Sequence, residues 1–392
     1  YQTLYLKTHY PAPFMAAVLT SDMQNTDKVV TFIEECRQMA IELVLPDVNQ
    51  SHYGFTVNEQ GSIVYGLGAV KGVGEGPIEA IIAGRRDGPY RDLFDFCKRI
   101  DHGRINKRVL EALVRCGAFD NLERTAPRAV LMASIEDALK SASQNAANQA
   151  AGIMDLFGEA EAEASLTSDP YERYRQIREW SLKERLAGEK DTLGLFVTGH
   201  PFDEYEQEVR QLVPIRLSNL QEGKGTQKLA GLIVDMRLMK NKRGATMCFV
   251  TLDDRSGRME VALFSDVYEQ VRELIAKDKV LILEAQVSYD DYSGGLKATG
   301  RSAMEISQAR LSYAKALRLR VQANGIGEHF CQQLRQQLTT RADGCPVVLD
   351  YCNDVARCDI RLGDQWRIDP SDELLQELKY AYGEDAVELV FH

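Results

Sequence analysis

Three glycines at alternate positions stand directly before an apolar, helix-like stretch. Gly72, Gly74 and Gly76 follow Lys71, and Pro77 is expected to open the helix because proline is favoured at the first helical position. Glycine allows positive φ and close backbone approach, and amide N–H groups at a helix N-terminus bind phosphate oxygens. The stretch predicts a helix-hairpin-helix that binds a nucleic-acid backbone; a tight helix turn without a ligand is the alternative.

A second hairpin with basic flanks follows. Helices are predicted over residues 92–100 and 107–116, and Gly117 ends the second one. Between Arg85 and Arg115, nine Lys/Arg oppose five acids, in a chain of net charge −11. A local positive patch on an acidic protein favours a polyanion as the partner. The residues predicted to contact DNA in the two hairpins are Lys71, Gly72, Val73, Gly74, Gly76, Arg104, Lys107 and Arg108.

Residues 228–306 show the alternation of β-strands. An amphipathic helix is predicted between the third and fourth of five strands, an order that indicates an OB-fold β-barrel. Positive charge beside aromatic faces suits single-stranded nucleic acid. The residues predicted to bind it are Arg237, Lys240, Lys242, Arg243, Phe249, Tyr289 and Tyr292. Because twelve basic residues balance twelve acidic ones in this segment, a purely structural barrel is the alternative.

Residues 141–170 have the composition of a linker, rich in Ala, Ser, Asn, Gln and Glu. One apolar cluster interrupts it, formed by Ile153, Met154, Asp155, Leu156 and Phe157. Isolated clusters of this kind are commonly short motifs that dock into a pocket of a partner. A linker that folds back on its own domain is the alternative.

Helices are predicted over residues 1–45, with Asn25 or Thr26 as a cap, near residues 128–140 and, with many charges, over 171–187. A β-hairpin is predicted over residues 53–65. Residues 315–392 are predicted to form a small α/β unit in which Asp369-Pro370 caps a helix that ends at Gly383. This unit shows no catalytic pattern, which is typical of a protein-binding module. The predicted fold class is therefore multidomain α+β.

Carboxylates and cysteines suggest no catalytic chemistry. The pairs at residues 253–254 and 290–291 stand beside turn residues and are interpreted as turn residues rather than metal ligands. Two-metal phosphoryl transfer needs clustered carboxylates, so we predict no catalytic residue, metal site or cofactor in this chain. The eight cysteines are scattered without a Cys-x-x-Cys motif, which indicates reduced thiols and a cytoplasmic protein.

The length and termini indicate a multidomain piece of a larger protein. With 392 residues and 44% hydrophobic content, two to four domains with real cores are expected. No apolar run approaches the ~20 residues of a membrane span. The first residue is Tyr1, not methionine, and no signal peptide pattern follows, so we expect a longer parent chain.

Four stretches, together with the order of the parts, resemble one family. Residues 1–12, 64–78, 189–201 and 251–258 are similar to the C-terminal part of the alpha subunit of bacterial DNA polymerase III, a C-family replicative polymerase. The resemblance implies the end of a fingers domain at residues 1–50 and a double helix-hairpin-helix domain with its linker at 51–170, which binds DNA and the sliding clamp. It further implies a helical connector at 171–225, the OB-fold at 226–308 and a tau-binding α/β domain at 309–392.

The same resemblance implies the partners and the activity. The parent protein would be a DNA-directed DNA polymerase that uses Mg²⁺ in DNA replication, with its palm upstream, so that this piece alone should be inactive. The implied partners are duplex DNA, the single-stranded template, the beta sliding clamp and the tau subunit of the clamp loader, without a membrane. The family's clamp motif resembles Gln-Leu-Asp-Leu-Phe, and here Ile153 stands where Gln is expected.

Two alternatives from other classes are considered. One is a free-standing, non-catalytic nucleic-acid-binding adaptor, which the start at Tyr1 disfavours. The other is the anticodon-type OB region of an RNA enzyme, which the apolar motif in the linker disfavours.

Overall fold

The computed structural model describes residues 2–100, 103–150, 169–240, 244–290, 295–323, 327, 329–353 and 355–391. The chain divides into two compact units, Tyr1–His200 and Pro201–His392. Helices and sheets from both units give the multidomain α+β architecture that the sequence predicts. In the described part of the chain, no helix combines the length and the apolar character that crossing a bilayer requires.

Three helices begin the first unit: α1 (Gln2–His9), α2 (Pro11–Ser21) and α3 (Thr26–Gln38). The prediction of helices over residues 1–45 is wrong at its end, because Leu43–Val44 form a strand. The side chain of Asn25 accepts a hydrogen bond from the Lys28 amide at 3.2 Å and caps α3, which confirms the predicted cap. Helices α2 and α3 contribute Met15, Leu19 and Ile33 to the core, whereas α1 buries no residue.

A small sheet leads into the first glycine hairpin. It contains β1 (Leu43–Val44), β2 (Thr56–Val57) and β3 (Ile63–Val64), in the order β1-β3-β2. Strands β2 and β3 pair antiparallel, which confirms the predicted β-hairpin. Gly61, with φ +84°, allows the turn between them.

The remaining helices of this unit carry the two glycine hairpins and their support. They are α4 (Glu75–Gly84), α5 (Leu93–Arg99), α6 (Lys107–Arg115), α7 (Arg128–Ala150) and α8 (Leu182–Leu193). Asp92 and Asn106 cap α5 and α6 with their side chains. Phe96 of α5 packs edge-to-face on Phe119 with ring centroids 5.0 Å apart, near the centre of the core.

Two predictions in this unit are wrong. The linker does not begin at residue 141, because α7 continues to Ala150; alanine is the best helix former, and Ala142 is buried. The charged helix does not begin at residue 171, because Ser181 and Glu184 form a capping box that starts α8 at Leu182.

The second unit begins with α9 (Glu206–Leu212) and a closed five-stranded barrel. Its strands are β4 (Thr226–Lys240), β5 (Thr246–Asp253), β6 (Arg258–Leu263), β7 (Val280–Asp290) and β8 (Gly295–Glu305). Helix α10 (Ser265–Val271) lies between the third and fourth strands, as the OB-fold prediction requires. The order around the barrel is β4-β5-β6-β8-β7.

A small α/β domain follows α11 (Ile306–Tyr313). Its elements are β9 (Ala316–Gln322), α12 (Phe330–Gln337), β10 (Thr340–Cys345), β11 (Val347–Cys352), β12 (Arg357–Arg361), α13 (Asp372–Tyr382) and β13 (Val387–Val390). The sheet has the order β12-β11-β9-β13. The predicted cap at Asp369-Pro370 is wrong, because the Ser371 side chain accepts from the Leu374 amide and caps α13.

One buried guanidinium joins the barrel to this domain. Arg310 of α11 donates through Nε and Nη2 to both carboxylate oxygens of Glu208 on α9, at 2.8 and 2.9 Å. Its Nη1 donates to Asp372 of α13 at 2.7 Å, and Tyr205 donates to the other oxygen of Asp372. Arg310 is only 4% exposed, so removing one partner would leave a buried charge incompletely paired.

Candidate nucleic-acid interface

The first glycine hairpin adopts a tighter form than its three glycines suggest. Only Gly72 has positive φ, at +86°, whereas Gly74 is the N-cap of α4 with φ −79°. The helix begins at Glu75, so the prediction that Pro77 opens it is wrong; proline is its third residue. Proline is accepted there because the first four amides of a helix have no intrahelical acceptor to lose.

Several amides of this hairpin remain available to a ligand. The amides of Val73 and Ile78 donate to the carbonyls of residues 70 and 74, at 3.2 and 3.3 Å. The amides of Gly72, Gly74 and Gly76 donate to no group among the residues that the structure describes. Free amides at a helix N-terminus attract anions, so the arrangement can bind a phosphate oxygen.

The last turn of α8 fixes this hairpin. The Thr192 carbonyl accepts a hydrogen bond from the Lys71 amide at 2.9 Å. The buried hydroxyl of Tyr65 donates to the Leu193 carbonyl at 3.1 Å, and burial raises the pKa of Tyr65, so the phenol stays protonated and able to donate. These bonds tie the backbone on the N-terminal side of the glycines to a helix more than a hundred residues away in sequence.

A buried ion pair in turn anchors α8. Glu189 is fully buried, and its Oε1 accepts from Arg128 Nη1 at 3.0 Å and from Thr198 Oγ1 at 2.7 Å. Its Oε2 accepts from the amides of Val197 and Thr198. Burial lowers the pKa of Arg128, but its bonds to Asp120 and its pairing with Glu189 outweigh that and raise the pKa. The guanidinium and the Glu189 carboxylate therefore form a fixed pair.

Sequence reasoning did not identify this support. Glu189 begins one of the stretches on which the family resemblance depends, but its neighbours gave no reason for an acid there. The available signal was an acid at the start of a segment whose later residues, Leu193–Val197, are mostly apolar. A buried acid of that kind requires a partner, but the sequence does not indicate which arginine supplies it.

The basic residues of the second hairpin are exposed and partly paired. Arg104 contacts Glu79 at 3.1 Å, and Lys107 contacts Glu136 at 2.6 Å. Arg108 forms no ion pair within the described residues. Exposed pairs contribute about 0–1 kcal/mol, so a phosphate can replace the acids as the partner of these cations.

A groove of about 690 Å³ lies beside Arg104 and is also lined by Arg86 and Arg99. Arg99 is a structural residue, since its Nη2 donates to the carbonyls of Gly84 and Gly88 at 2.6 Å each. Arg86 is exposed and is a cation in this groove that sequence reasoning did not select.

On the barrel, Arg237 and Phe249 lie together. They pair across β4 and β5, and the guanidinium carbon lies 5.2 Å from the ring centroid. Arg237 also lies 3.7 Å from Glu260, an exposed pair on the same face. Lys240 ends β4 and is exposed. A half-exposed ring with a cation over it can stack on a base.

Tyr289 does not share the face of Phe249. In the register of the barrel, Phe249 pairs with Ala262, Ala262 with Thr299, and Thr299 with Gln286. Side chains alternate along a strand, so Tyr289, three residues after Gln286, lies on the opposite face. The structure therefore separates two aromatics that the sequence grouped. Other predicted site residues, Lys242, Arg243, Tyr292 and Ile153–Phe157, lie outside the described residues.

Asp254 lies at the predicted turn, where its Oδ1 accepts from the Ser256 amide, and it is also a buried anchor. Its Oδ2 accepts from Arg210 Nη2 at 2.9 Å and from the Leu217 amide at 3.0 Å, and its Oδ1 accepts from Ser256. Burial raises the pKa of Asp254, but these hydrogen bonds outweigh it and hold the pKa below its usual value of 3.8. Among the described residues, no three His, Cys, Asp or Glu side chains are grouped to hold a metal ion.

Models of three known families match parts of the chain. The helix-hairpin-helix motif matches residues 40–129, and the OB-fold nucleic acid binding domain matches residues 227–307. The C-terminal domain of DNA polymerase III subunit alpha matches residues 329–383. Each model covers a different one of the parts described above.

Curated relatives match the chain from end to end. The DNA polymerase III alpha subunit of Pseudomonas aeruginosa is 49% identical over 401 residues, which is 99% of this chain and 34% of the relative. Those of Vibrio cholerae and Escherichia coli K12 are 47% and 46% identical and cover 100% of this chain. The chain spans about a third of the length of these relatives.

Proposed function

This chain is homologous over its whole length to the alpha subunits of bacterial DNA polymerase III, and we propose that it forms a region of such a subunit that binds duplex and single-stranded DNA during replication. The helix-hairpin-helix and OB-fold matches support binding of nucleic acid. We assign the duplex to the two glycine hairpins and the single strand to the outer face of the barrel.

One observation carries the duplex assignment. The amides of Gly72, Gly74 and Gly76 are free among the described residues, and the backbone that carries them is fixed by Thr192. Backbone amides contact phosphates without reading bases, so binding is expected to be independent of sequence. Lys107 and Arg108 then supply charge beside the second hairpin.

Duplex binding tests this assignment. The wild-type chain should lose affinity steeply with salt, with a slope of about −0.9 for each phosphate contact. Lys107→Glu with Arg108→Glu should remove most binding to a duplex of arbitrary sequence at low salt, measured by fluorescence anisotropy. The double variant should also give a shallower salt slope.

A matched variant separates this effect from net charge. Lys28→Glu with Arg175→Glu changes the charge equally at exposed, ion-paired residues of the same unit. It should bind duplex nearly as well as wild type. Equal affinity of wild type and the Lys107/Arg108 variant at low salt is incompatible with the hairpin assignment.

The apolar motif Ile153–Phe157 is proposed to bind the beta sliding clamp. Leu156 and Phe157 would fill an apolar pocket, where each buried side chain contributes about 1.5–3 kcal/mol. A glutamine at the first position would add a hydrogen bond of about 0.5–1.5 kcal/mol. By surface plasmon resonance on the clamp, Leu156→Ala with Phe157→Ala should abolish binding, and Ile153→Gln should strengthen it several-fold. Weaker binding by Ile153→Gln contradicts the assigned register.

The domain after α11 is proposed to dock the tau subunit of the clamp loader. Residues 329–383 match the C-terminal domain of DNA polymerase III subunit alpha, which supports membership of the family whose resemblance implies this docking. Titration of the full chain with purified tau should give saturable binding. No binding by the full chain would exclude this docking.

We also propose that the whole protein is a cytoplasmic, Mg²⁺-dependent DNA polymerase and that this region alone incorporates no nucleotide. The name of its relatives supports the polymerase activity of the whole protein. Primer extension by the purified region with Mg²⁺ would overturn the proposed inactivity of this region alone. The alternative, a free-standing adaptor, is less well supported because the relatives that match end to end are polymerase subunits.

A further inference from the structure

Strand β12 forms one edge of the last sheet and is exposed along its whole length. All five residues, Arg357–Arg361, are exposed, and β11 is the neighbour with which it pairs. No described residue pairs with its outer edge. An unpaired edge presents a row of backbone donors and acceptors that another strand can join.

The hydrogen bonds at both ends of β12 identify the free backbone groups. The Leu362 amide donates to the Val347 carbonyl at 3.0 Å, and the Asn353 amide donates to the Ala356 carbonyl at 2.9 Å. Bonded and non-bonded pairs alternate along an antiparallel ladder. The amides and carbonyls of Arg357, Asp359 and Arg361 therefore point away from β11, toward the open edge.

Charge distinguishes the two faces that meet at this edge. Outside the core, the sheet carries four arginines and three acids, namely Arg318, Arg320, Arg357, Arg361, Asp350, Asp359 and Glu388. Arg357 Nε pairs with the buried Asp350 at 2.8 Å, whereas Arg361 forms no ion pair within the described residues, and the buried Nε of Arg318 lacks a hydrogen-bond partner there. This face is positive although residues 309–392 contain ten basic and thirteen acidic residues.

The other face of the same strand is apolar. Cys358 and Ile360 pair with Tyr351 and Leu349, on the side of the sheet that forms the core. Ile360 remains 45% exposed, so the core does not extend as far as this strand. A strand added beside β12 would therefore meet apolar side chains on one face and arginines on the other.

A second copy of this chain fits the edge poorly. An antiparallel pairing of two β12 strands centred on Asp359 would place Asp359 opposite Asp359 and Arg357 opposite Arg361. Like charges directly opposite each other are destabilising. The sequence of the edge thus disfavours self-association and favours a strand of opposite charge.

We propose that β12 is a docking edge for an extended segment of a partner, which adds as a strand and alternates apolar with acidic residues. The apolar residues would extend the row of Cys358 and Ile360, and the acids would face Arg357 and Arg361. The inference deepens the proposed docking of tau and rests on that proposal only for the identity of the partner.

A designed peptide tests the edge without tau. The probe is a peptide of about six residues, the length of a typical strand, that alternates glutamate and valine; its control has lysine for glutamate. The glutamate peptide should shift the backbone amide signals of Arg357, Asp359 and Arg361 in the full chain, and the lysine peptide should not. No shift at these amides, or equal binding of both peptides, overturns the proposal.

Two substitutions at one position isolate the backbone contact. Asp359→Pro removes an outward amide without touching the bonds to β11, and proline is accepted on edge strands when its nitrogen faces solvent. Asp359→Ala removes the same carboxylate, including its contact with Arg318 at 3.3 Å, but keeps the amide. The proline variant should bind the glutamate peptide about tenfold more weakly or worse, and the alanine variant at least as well as wild type.

Melting curves verify that both variants fold, and Arg361→Glu provides a second variant that leaves the strand backbone intact. Arg361→Glu should also weaken binding of the glutamate peptide. Equal affinity of the Asp359→Pro and Asp359→Ala variants, both folded, contradicts the proposal.

The same variants titrated with tau separate the two hypotheses. If Asp359→Pro loses tau binding and Asp359→Ala keeps it, the result supports both the docking of tau and the role of β12 as its contact. Tau binding that is equal in all variants leaves tau docking intact but overturns the edge as its contact. If wild type binds no tau, the docking proposal fails, and the peptide titration still decides whether β12 accepts a strand.

Discussion

The two candidate DNA-binding regions offer different parts of the polypeptide to a ligand. The hairpin offers backbone amides, such as those of Gly72 and Gly76, whose position depends on the buried Glu189 of α8. The barrel offers side chains, Arg237 and Phe249, on the outer face of strands. A fixed row of amides suits the regular backbone of a duplex, whereas side chains that can reorient suit a flexible single strand.

The largest effect should come from removing the support of the hairpin. Glu189→Ala leaves Arg128 buried with one carboxylate fewer, and breaking a buried pair costs about 3–5 kcal/mol. The first unit should unfold at lower urea and lose duplex binding. Its unfolding can be followed by the fluorescence of Trp180 in a Trp366→Phe background, because the chain has two tryptophans and only Trp180 lies in this unit.

Asp191→Ala is the matched control on the same helix. Asp191 is 70% exposed and lies 3.7 Å from Arg115, so its loss should change stability by less than about 1 kcal/mol. If both variants lose similar stability, the hairpin does not depend on a buried anchor, and the contrast with the barrel disappears.

The barrel also has a buried anchor, Asp254, and its contribution to stability should be lost at acid pH. The depressed pKa of Asp254 means that its contribution to stability is present above the usual, unfolded value of 3.8 and is lost as pH falls through the folded value. Asp254→Asn should destabilise the second unit by about 2–3 kcal/mol at neutral pH. Its stability should also fall less than that of wild type toward about pH 3.

Urea unfolding followed by the fluorescence of Trp366 in a Trp180→Phe background measures the stability of the second unit and its dependence on pH. The exposed Asp266→Asn should stay within about 0.5 kcal/mol of wild type. Parallel pH curves for wild type and Asp254→Asn would show that this carboxylate does not titrate with folding.

Two glycines of one hairpin should respond differently to the same substitution. Gly72→Ala forces a side chain into φ +86° and should cost about 1–2 kcal/mol. Gly76→Ala meets no atom within 4 Å and lies in the first turn of α4, so stability should stay equal or rise slightly. Thermal melting measures the change in stability of both variants. Equal destabilisation would contradict the assigned backbone geometry.

Duplex titrations of these two variants sharpen the comparison. If a phosphate approaches the amides closely, Gly76→Ala should weaken duplex binding without loss of stability, because its new methyl group occupies the approach path. An unchanged affinity would place the phosphate elsewhere on the hairpin.

The smallest effect is expected on the barrel. Phe249→Ala should weaken single-strand binding by about 1 kcal/mol, the lower end of the range for stacking, because Arg237 already lies over the ring. Tyr289→Ala, on the other face, should leave that contact unchanged. Oligonucleotide anisotropy with the full chain measures both, and equal losses would mean that the strand follows a path across both faces.

Local patterns predicted most of the fold. Asn25 at a cap, the alternation of the barrel strands and the turn at Gly61 depend on neighbours in sequence, so the sequence contains their signals. Starting points of helices were less certain where several caps competed, as at Asp369 and Ser371.

The supports of the candidate site could not be predicted in this way. The pairing of Arg128 with Glu189 joins residues 61 positions apart, and the bond from Tyr65 to Leu193 joins residues 128 apart. No local periodicity specifies such partners, because they are chosen by tertiary packing. The separation of Phe249 from Tyr289 likewise depends on barrel register, which alternation within single strands leaves open.

The guanidinium of Arg310 also constrains how such a region can be inherited. It binds one carboxylate from the connector before the barrel and one from the helix near the end of the chain. A recombination event that replaced only the last domain would have to bring in an acid at the position of Asp372. Otherwise it would leave the buried charge of Arg310 incompletely paired. We therefore expect the barrel and the domain after it to be exchanged between genes as one block, and chimaeras joined within α11 to be expressed poorly.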